Sequence, residues 1–176
     1  MKNIEIKLRI TESDAIRIRE ELIRECDEYY FDQQDDHYFD VPGGRLKFRI
    51  SENETALIQY DRAEEWPKLS NYNLFRFDKD GMEEKVTDLL TILQKSLSTK
   101  VVVSKSREVF FVGRAKIHID KVEGLPDQFL EIEIRDEEDN VPEKVLREEL
   151  DEWVSKYNLE RERAVNCSYS DLLLVE

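Results

Sequence analysis

Cysteine, glycine and proline are all scarce in this 176-residue chain, which contains two cysteines, five glycines and four prolines. Cys26 and Cys167 stand far apart, with no CxxC spacing and no clustered histidines. A disulfide framework or a zinc site needs paired or clustered ligands, so neither is expected. We predict reduced thiols in a cytoplasmic protein.

The chain also lacks net positive charge and any long apolar run. Its 27 basic residues are outnumbered by 41 acidic ones, which gives a formal net charge of −14. Nucleic acid and anionic lipid both require basic surface, so the composition argues against either as a partner. No apolar stretch approaches the length of a membrane span, and the first residues have a strand pattern rather than that of a signal peptide.

What the sequence does contain is a strand signature that begins at its third residue. In "NIEIKLRI", residues 3–10, apolar and polar side chains alternate strictly, as in a strand with one buried face. The chain is long enough, and at 40% apolar residues hydrophobic enough, to form a core. We therefore expect a single domain over residues 1–176.

Three helices and a series of strands are predicted from the periodicity and the turn residues. Ser13 is expected to cap a first helix with Ile16 and Ile23 on its apolar side. Helical spacing recurs over residues 82–97 and again over about 142–157. The further extended segments are "RLKFRI", "TALIQYDR", "NYNLFRF", "KVVVSKSREVFFVG", "AKIHIDKV" and "FLEIEIRD". A strand is also expected to begin at "DDHYFD", residues 35–40, ahead of the turn signal "VPGG". This pattern predicts an α+β fold with roughly eight strands, mostly antiparallel.

The polar faces of five of these strands carry mainly cations. Nine of their charged positions are basic and four are acidic, a local excess of positive charge in a chain of net charge −14. The basic positions are Lys7, Arg9, Arg45, Lys47, Arg49, Lys105, Arg107, Lys116 and Arg135, and the acidic ones are Glu5, Asp120, Glu131 and Glu133. The basic charge is thus concentrated on strand faces, whereas the acidic residues lie largely in helices and loops.

Two architectures are compatible with this pattern. In the first, an antiparallel sheet has helices on its apolar side and water on its charged side. In the second, the sheet closes into a barrel with the charged face inward, where crowded cations require an anion. Carboxylates among those cations suit a divalent metal with hard oxygen ligands, Mg²⁺ or Mn²⁺. A polyphosphate with a bound metal would satisfy both sets of residues.

Several segments, taken in order, resemble the CYTH domain, the triphosphate tunnel metalloenzyme family that includes class IV adenylyl cyclases and thiamine triphosphatases. They are "NIEIK", "GRLKFR", "SKSREVFFVG", "KIHIDKVEGL", "FLEIEI" and "SYSDLL", and they span nearly the whole chain. The resemblance implies a single-domain, eight-stranded antiparallel β-barrel, or tunnel, with helices packed outside. Its interior is expected to bind a nucleoside or inorganic triphosphate with Mg²⁺ or Mn²⁺. A homodimer is kept as a candidate assembly.

The resemblance also implies site residues, position by position. Metal binding is expected at Glu5, Glu131 and Glu133. Phosphate binding is expected at Lys7, Lys47, Arg49, Arg62, Lys105 and Arg107, with Arg45 and Arg76 as further candidates, and the catalytic set is Lys7, Lys105, Arg107 and Asp120. The family's strand motif is Glu-x-Glu-x-Lys, and its first glutamate is replaced here by Asn3, whose amide oxygen is a weaker ligand for a hard cation. His118, on the same charged face, is a candidate for substrate contact.

Three functions remain open at this point. The segment "SREVFFVGRAKIHIDKVEGL", residues 106–125, is most similar to class IV adenylyl cyclases, which favours conversion of ATP to cyclic AMP and pyrophosphate. The same tunnel would support a triphosphate hydrolase of the thiamine triphosphatase or tripolyphosphatase type. Because of Asn3, a non-catalytic module that binds polyphosphate or nucleotide is the third alternative.

Overall fold

The computed structural model describes residues 2–61, 68–69, 72–77, 83–138 and 140–175. The strands are β1 (Lys2–Ile10), β2 (Glu28–Phe39), β3 (Arg45–Ser51), β4 (Thr55–Tyr60), β5 (Lys68–Leu69), β6 (Tyr72–Arg76), β7 (Thr99–Val112), β8 (Ala115–Val122) and β9 (Gln128–Asp136). The helices are α1 (Glu12–Glu25), α2 (Glu83–Ser96), α3 (Glu143–Lys156) and α4 (Tyr169–Val175), with a 3₁₀ turn at Arg161–Arg163. Within these described residues, no helix is long and apolar enough to cross a membrane.

The strands form one antiparallel sheet in the order β5-β1-β9-β8-β7-β2-β3-β4-β6. The two edge strands, β5 and β6, are only two residues apart in the chain. Consecutive Cα atoms are about 3.8 Å apart, so this connection keeps the facing ends of the two edges within about 11 Å. The sheet is therefore curled, which confirms the predicted tunnel-type α+β fold, with the two-residue β5 in addition to eight longer strands.

The outer face of the curled sheet is apolar and lies beneath α1 and α3. Ile4, Ile6 and Leu8 of β1 are almost fully buried there. They belong to a cluster that also contains Ile117, Ile132, Ile134, Ile18, Leu22, Leu146, Leu150 and Val154. Each such side chain contributes about 1.5–3 kcal/mol of burial free energy. Because neighbouring residues of a strand point to opposite faces, this packing turns the charged positions of β1, β8 and β9 inward.

Helix α1 begins earlier than predicted and buries a different face. Its N-cap is Thr11 rather than Ser13, since the Thr11 hydroxyl accepts a hydrogen bond from the Asp14 N–H and the Asp14 carboxylate accepts one from the Thr11 N–H, each at 3.1 Å. The buried positions are Ala15, Ile18 and Leu22. The predicted apolar side was wrong, because Ile16 and Ile23 are about half exposed.

The other two predicted helices are confirmed. Helix α3 is preceded by Pro142 at its N-cap, as expected for a residue that lacks a backbone N–H. Its buried face consists of Leu146, Leu150 and Val154. Helix α2 occupies most of the predicted range 82–97, of which residue 82 lies outside the described residues.

Strand β2 is much longer than the sequence pattern predicts. The pattern indicates an extended segment only at "DDHYFD", whereas the strand begins at Glu28. The first half lacks the apolar alternation that marks a half-buried strand, because its interior positions include Asp32 and Gln34, both buried. As shown below, this strand supplies the most connected carboxylate of the interior.

Candidate active site

The concave face of the sheet encloses a cavity of about 290 Å³. Strands β1 to β4 and β6 to β9 contribute to its lining, and Ser168 and Tyr169 close one side. The charged lining residues are Glu5, Lys7, Asp36, Arg45, Lys47, Arg49, Glu54, Asp61, Arg76, Lys105, Arg107, Lys116, Glu131 and Glu133. Eight of these are cations and six are anions, so the described lining has a net formal charge of +2.

Most of the residues named from the sequence come together in this cavity. The lining includes Lys7, Lys47, Arg49, Lys105 and Arg107 of the expected phosphate-binding set, Glu5, Glu131 and Glu133 of the expected metal set, and the weaker candidates Arg45, Arg76 and His118. Arg62 lies outside the described residues. Asp120 is fully buried behind the lining, in contact with Arg107.

Three cations converge on the carboxylate of Asp36, and we call Lys47, Arg49 and Lys105 the basic cluster. Asp36 accepts hydrogen bonds from Lys47 Nζ at 2.9 Å and from Lys105 Nζ at 3.0 Å. Arg49 binds it through Nε at 2.7 Å and Nη2 at 3.0 Å. The side chain of Asp36 is 2% exposed, so these charge-assisted bonds lie out of water.

The sheet order explains this convergence. Strand β2 lies between β3 and β7, so a carboxylate on its inner face has cations on both neighbours. Asp36 is directly opposite Arg49 on β3, while Lys47 and Lys105 are opposite the next inward residues on either side, Tyr38 and Gln34. The side chains that meet are therefore direct and diagonal cross-strand neighbours.

Burial and mutual repulsion set the protonation of this group. Burial by itself would raise the pKa of Asp36, but Arg49, Lys105 and Lys47 outweigh it and hold that pKa well below its ordinary value. Burial and the nearby Arg49 lower the pKa of Lys47 to about 7, in spite of Asp36. Burial likewise lowers the pKa of Lys105. One carboxylate thus balances three cations only in part.

A second carboxylate holds Arg107. The guanidinium donates to Asp120 from Nε at 2.7 Å and from Nη2 at 2.6 Å, and Nη2 also donates to Glu131 at 2.8 Å. Asp120 further accepts a hydrogen bond from the Tyr169 hydroxyl at 2.7 Å. Burial would raise the pKa of Glu131, but Lys7 and Arg107 keep it well below its ordinary value. The Arg107 side chain is therefore fixed from two sides, with Glu131 at the cavity surface.

The acidic end of the cavity is formed by Glu5, Glu131 and Glu133, which lie on the adjacent strands β1 and β9. Glu5 and Glu133 are directly opposite each other in the strand register, an arrangement in which two carboxylates repel unless a cation is present. Asn3 donates a hydrogen bond to Glu133, while its own Oδ1 is buried without a hydrogen-bond partner among the described residues. These oxygens are hard donors, which fit Mg²⁺ or Mn²⁺.

The acidic end is not a ready-made metal cage. No group of three His, Cys, Asp or Glu side chains among the described residues is arranged to hold a metal ion. Mg²⁺ is commonly bound by one or two carboxylates, with water and substrate phosphates as its other ligands. Such a mode fits the donors present here.

His118 lies beside this end with both ring nitrogens buried and without hydrogen-bond partners in the described part of the chain. Its Nδ1 is 3.7 Å from Glu131, beyond hydrogen-bond distance. Burial and the nearby Arg107 lower the pKa of His118 to about 3, so the imidazole is neutral at physiological pH. It can therefore offer a neutral donor or acceptor to a ligand, but not a positive charge.

Residues near the C-terminus close one side of the cavity. Arg45 of β3 donates to Ser168 at 2.6 Å, to Ser170 at 2.9 Å and to Asp171 at 2.7 Å. This network holds α4 against the sheet, with the Tyr169 ring 4.1 Å from Lys7 Nζ. Arg45 was a weaker candidate for phosphate binding, and in this structure its guanidinium is occupied by the C-terminal helix.

The sequence interpretation missed three anions of the cavity lining, Asp36, Glu54 and Asp61. Glu54 pairs with Arg49 at 3.2 Å and with Arg76 at 2.9 Å. A signal for Asp36 was present in the hairpin, because counting back across the "VPGG" turn pairs it with Arg49. Glu54 lies in the loop before β4, where no periodicity indicates the direction of a side chain.

The CYTH domain family model matches residues 1–169 of the chain. No curated protein is similar enough in sequence to be matched. The match covers the elements described above, from β1 to the first residue of α4.

Solved structures share the fold over nearly the whole chain. A conserved hypothetical protein from Pyrococcus furiosus has a TM-score of 0.76 at 22% identity, with 97% of this chain and 99% of that chain covered. A candidate adenylate cyclase from Vibrio parahaemolyticus has a TM-score of 0.73 at 18% identity, with 98% and 97% covered. HpAC1 from Hippeastrum, a candidate adenylyl cyclase with a dominant triphosphatase activity, has a TM-score of 0.67 at 15% identity, with 99% and 96% covered.

Proposed function

The chain belongs to the CYTH domain family, and we propose that it is a metal-dependent enzyme that acts on a triphosphate bound in the cavity. One observation carries the proposal. The basic cluster and the acidic end line a single buried cavity, and the described lining has a net charge of only +2. A triphosphate carries more negative charge than this, and a divalent cation supplies the difference. Metal and triphosphate together are therefore the complementary ligand.

The residues that would hold the metal are Glu5 and Glu133, with Glu131 and the Asn3 amide oxygen beside them. A bound Mg²⁺ or Mn²⁺ would offset charge on the phosphate oxygens and help to orient the chain of phosphates. The replacement of a carboxylate by Asn3 leaves fewer anionic ligands, which favours one bound metal over two.

The cations have separable tasks in this proposal. The basic cluster receives phosphate oxygens, with the planar guanidinium of Arg49 suited to two oxygens at once. Arg107, fixed by Asp120, lies two residues beyond Lys105 on β7 and can stabilise charge that develops during phosphoryl transfer. Lys7, between Tyr169 and Glu131, completes the set. Asp120 then acts by positioning Arg107, since the structure buries it behind that residue.

The first reaction that we propose is formation of a cyclic nucleotide with release of pyrophosphate. Apolar and aromatic side chains line part of the same cavity, namely Tyr38, Ile58, Tyr60 and Leu74. Three phosphates alone have no use for an apolar wall, whereas a nucleoside can pack against it. The likeness to the Vibrio parahaemolyticus protein supports the same assignment.

Triphosphate hydrolysis is the second candidate. The observation that favours it is the likeness to the Hippeastrum protein, whose dominant activity is that of a triphosphatase. Cyclisation and hydrolysis ask the same cations and carboxylates to neutralise the phosphates, and differ in whether a ribose hydroxyl or a water attacks. A non-catalytic module that binds polyphosphate is the outcome if neither reaction occurs.

The proposal is tested by calorimetric titration of the protein with tripolyphosphate and with ATP, each with and without Mn²⁺. We expect binding of both ligands, strengthened by the metal. If neither tripolyphosphate nor ATP binds in any of these conditions, the proposed function is wrong. The single domain over 1–176, the cytoplasmic location, the absence of nucleic-acid partners and the candidate homodimer stay predictions.

A further inference from the structure

Asp36 is the most highly connected carboxylate that the structure describes in the cavity, and no expectation from the sequence included it. It pairs with all three members of the basic cluster within 3.0 Å, and its side chain is 2% exposed. A buried anion that merely opposed a phosphate would be a defect in a triphosphate site. Its position between β3 and β7 requires another explanation.

The three cations could not be held together without an anion. In the ligand-free protein, three positive groups within hydrogen-bond distance of one point would repel each other strongly out of water. Lysine side chains also have several rotamers and would turn away. Asp36 is the counterion that every one of them contacts.

We propose that Asp36 is a positioning residue, whose carboxylate holds Lys47, Arg49 and Lys105 in the arrangement that receives phosphate oxygens. The inference rests on the proposed function in identifying the basic cluster as the phosphate-binding side. Asp36 does not leave when the ligand arrives, because it lies on a twelve-residue strand that is paired on both sides at this position. Each ammonium has three donors and the guanidinium has five, so the cations can bind Asp36 and phosphate together.

The surroundings of Asp36 determine how removal of its charge would act. It faces Lys47 and Arg49 from β3 and Lys105 from β7, with Tyr38 next inward on its own strand. Glu54 reaches Arg49 at 3.2 Å, and the Tyr169 ring of α4 is 5.9 Å from Lys105 Nζ. Without Asp36, Glu54 is the remaining anion in direct contact with the basic cluster among these groups. The pKa values of Lys47 and Lys105, which burial already lowers and Asp36 raises, would then fall further, and a bound triphosphate would have to restore the protons that were lost.

Two roles for Asp36 predict opposite changes in the affinity of Asp36→Asn for tripolyphosphate: simple repulsion of the ligand, and positioning of the cations. If Asp36 only opposes the ligand, the variant gains a positive charge in the cavity and binds tripolyphosphate more tightly at every pH. If Asp36 positions the cations, we expect binding about tenfold weaker at pH 8, because a one-unit fall in a lysine pKa has that effect. The difference in affinity between the variant and wild type should narrow as the pH is lowered, because the lysines then regain their protons.

The matched control is Asp35→Asn, which makes the same charge change on the outer face of the same strand. Asp35 is exposed and accepts a hydrogen bond from Ser104 at 2.6 Å, away from the basic cluster. Titrations of wild type and both variants in buffers of different ionisation enthalpy report the protons taken up on binding. Lys47, with a pKa of about 7, is already largely neutral at pH 8 in wild type. We therefore expect the additional proton uptake of Asp36→Asn to come mainly from Lys105, and no additional uptake for Asp35→Asn.

A measurement without ligand keeps the inference testable if Asp36→Asn fails to fold or the proposed function fails. Nitrogen-15 spectra of the lysine ammonium groups in the wild-type protein should show two slowly exchanging signals, from Lys47 and Lys105, as paired buried ammonium groups require. Their assignment comes from Lys47→Arg and Lys105→Arg, each of which removes one signal. The positioning role would be overturned if the ammonium protons of both lysines exchanged rapidly with water. It would also be overturned if Asp36→Asn bound tripolyphosphate more tightly than wild type at every pH. If the wild-type protein shows both slow signals but does not bind tripolyphosphate, the proposed function is rejected and the positioning role of Asp36 is not.

Discussion

The side-chain amide of Asn3 donates a hydrogen bond to the carboxylate of Glu133 across the boundary between β1 and β9. An acidic residue at position 3 would repel Glu133 in the absence of a cation, whereas the amide links the two strands. Asparagine in place of the family's glutamate at position 3 thus removes a negative charge from the acidic end and stabilises the metal-free protein. Its buried Oδ1 has no hydrogen-bond partner among the described residues and remains available as a neutral ligand.

The first prediction concerns Asn3→Glu, which restores the negative charge at position 3. We expect the metal-free variant to melt at a lower temperature than wild type, because a third carboxylate joins Glu5 and Glu133. Addition of Mn²⁺ should raise its melting temperature by more than it raises that of wild type, since a further anionic ligand strengthens binding. The control is Asn73→Glu on the exposed side of β6. Equal responses to Mn²⁺ in all three proteins would exclude position 3 from the metal site.

The second prediction concerns the carboxylates of β9. Glu131→Gln and Glu133→Gln should each reduce metal-dependent turnover by a factor on the order of 100, because each removes a ligand or a ligand's neighbour from the acidic end. Glu137→Gln, with a side chain that is 61% exposed, is the matched control. Circular dichroism should show the fold retained in all three variants. Turnover like that of wild type in both test variants would remove these carboxylates from the metal site.

A third prediction concerns the stability of the Arg107–Asp120 pair. Arg107→Met should lower the free energy of unfolding by about 3–5 kcal/mol, because the fully buried Asp120 loses its bidentate partner. Arg107→Met/Asp120→Asn should recover part of this loss. Arg114→Met is the comparison, since Arg114 is half exposed and its bond to Glu149 contributes about 0–1 kcal/mol. Urea denaturation measures all four proteins, and equal losses for both single variants would contradict the buried pair.

The fourth prediction follows from the low pKa of Lys47, about 7 compared with an ordinary value of 10.5. Between these values the unfolded chain holds a proton that the folded protein has lost. The contribution of Lys47 therefore makes the free energy of unfolding rise with pH from about 7 to about 10.5. Lys47→Met should flatten this rise, whereas Lys121→Met, at an exposed position of β8, should not. Identical slopes in wild type and Lys47→Met would show that Lys47 keeps its ordinary titration.

The strands with strict alternation were predictable, because each has one apolar and one charged face. Lys7, Lys47 and Arg107 were placed inward for this reason, and the structure brings them to one cavity. Asp36 was not identified, since the residues around it on β2 do not alternate regularly between apolar and charged and its partners come from strands on both sides. The sequence pattern thus predicts the direction of a side chain, but not which strands become neighbours when the sheet closes.

The predictions for the helices and for the C-terminal residues were incomplete for other physical reasons. The predicted face of α1 was wrong because two apolar stripes lie side by side on this helix. Ala15, Ile18 and Leu22 form one stripe with the spacing i, i+3, i+7, and only packing against the sheet selects it over Ile16 and Ile23. Tyr169 could be recognised in "SYSDLL", but its bond to Asp120 depends on tertiary packing of a seven-residue helix. Arg45 shows the same effect, because α4 supplies the anion that was expected from substrate.

The last prediction separates the two candidate reactions by their products. Purified protein is incubated with ATP or with tripolyphosphate, each with Mg²⁺ or Mn²⁺, and every phosphorus-containing product is identified by phosphorus-31 spectroscopy. A cyclase must release cyclic AMP and pyrophosphate from ATP and leave tripolyphosphate largely intact, because tripolyphosphate has no ribose hydroxyl. A hydrolase releases orthophosphate and accepts tripolyphosphate, since cations that grip three phosphates need no nucleoside.

We expect cyclic AMP, because the apolar wall formed by Ile58, Tyr60 and Leu74 lies in the same cavity as the basic cluster. Tyr60→Ala should then raise KM for ATP and leave tripolyphosphate binding nearly unchanged, because only the nucleoside would contact the ring. The control is Tyr29→Ala, at an exposed tyrosine on the outer face of β2. If both substrates yield orthophosphate and no cyclic AMP is formed, the cyclase assignment is wrong, whereas the assignment of the cavity as a triphosphate site stands. If neither substrate yields a product although both bind, the protein is a binding module, and Asn3 is the first position at which to restore activity.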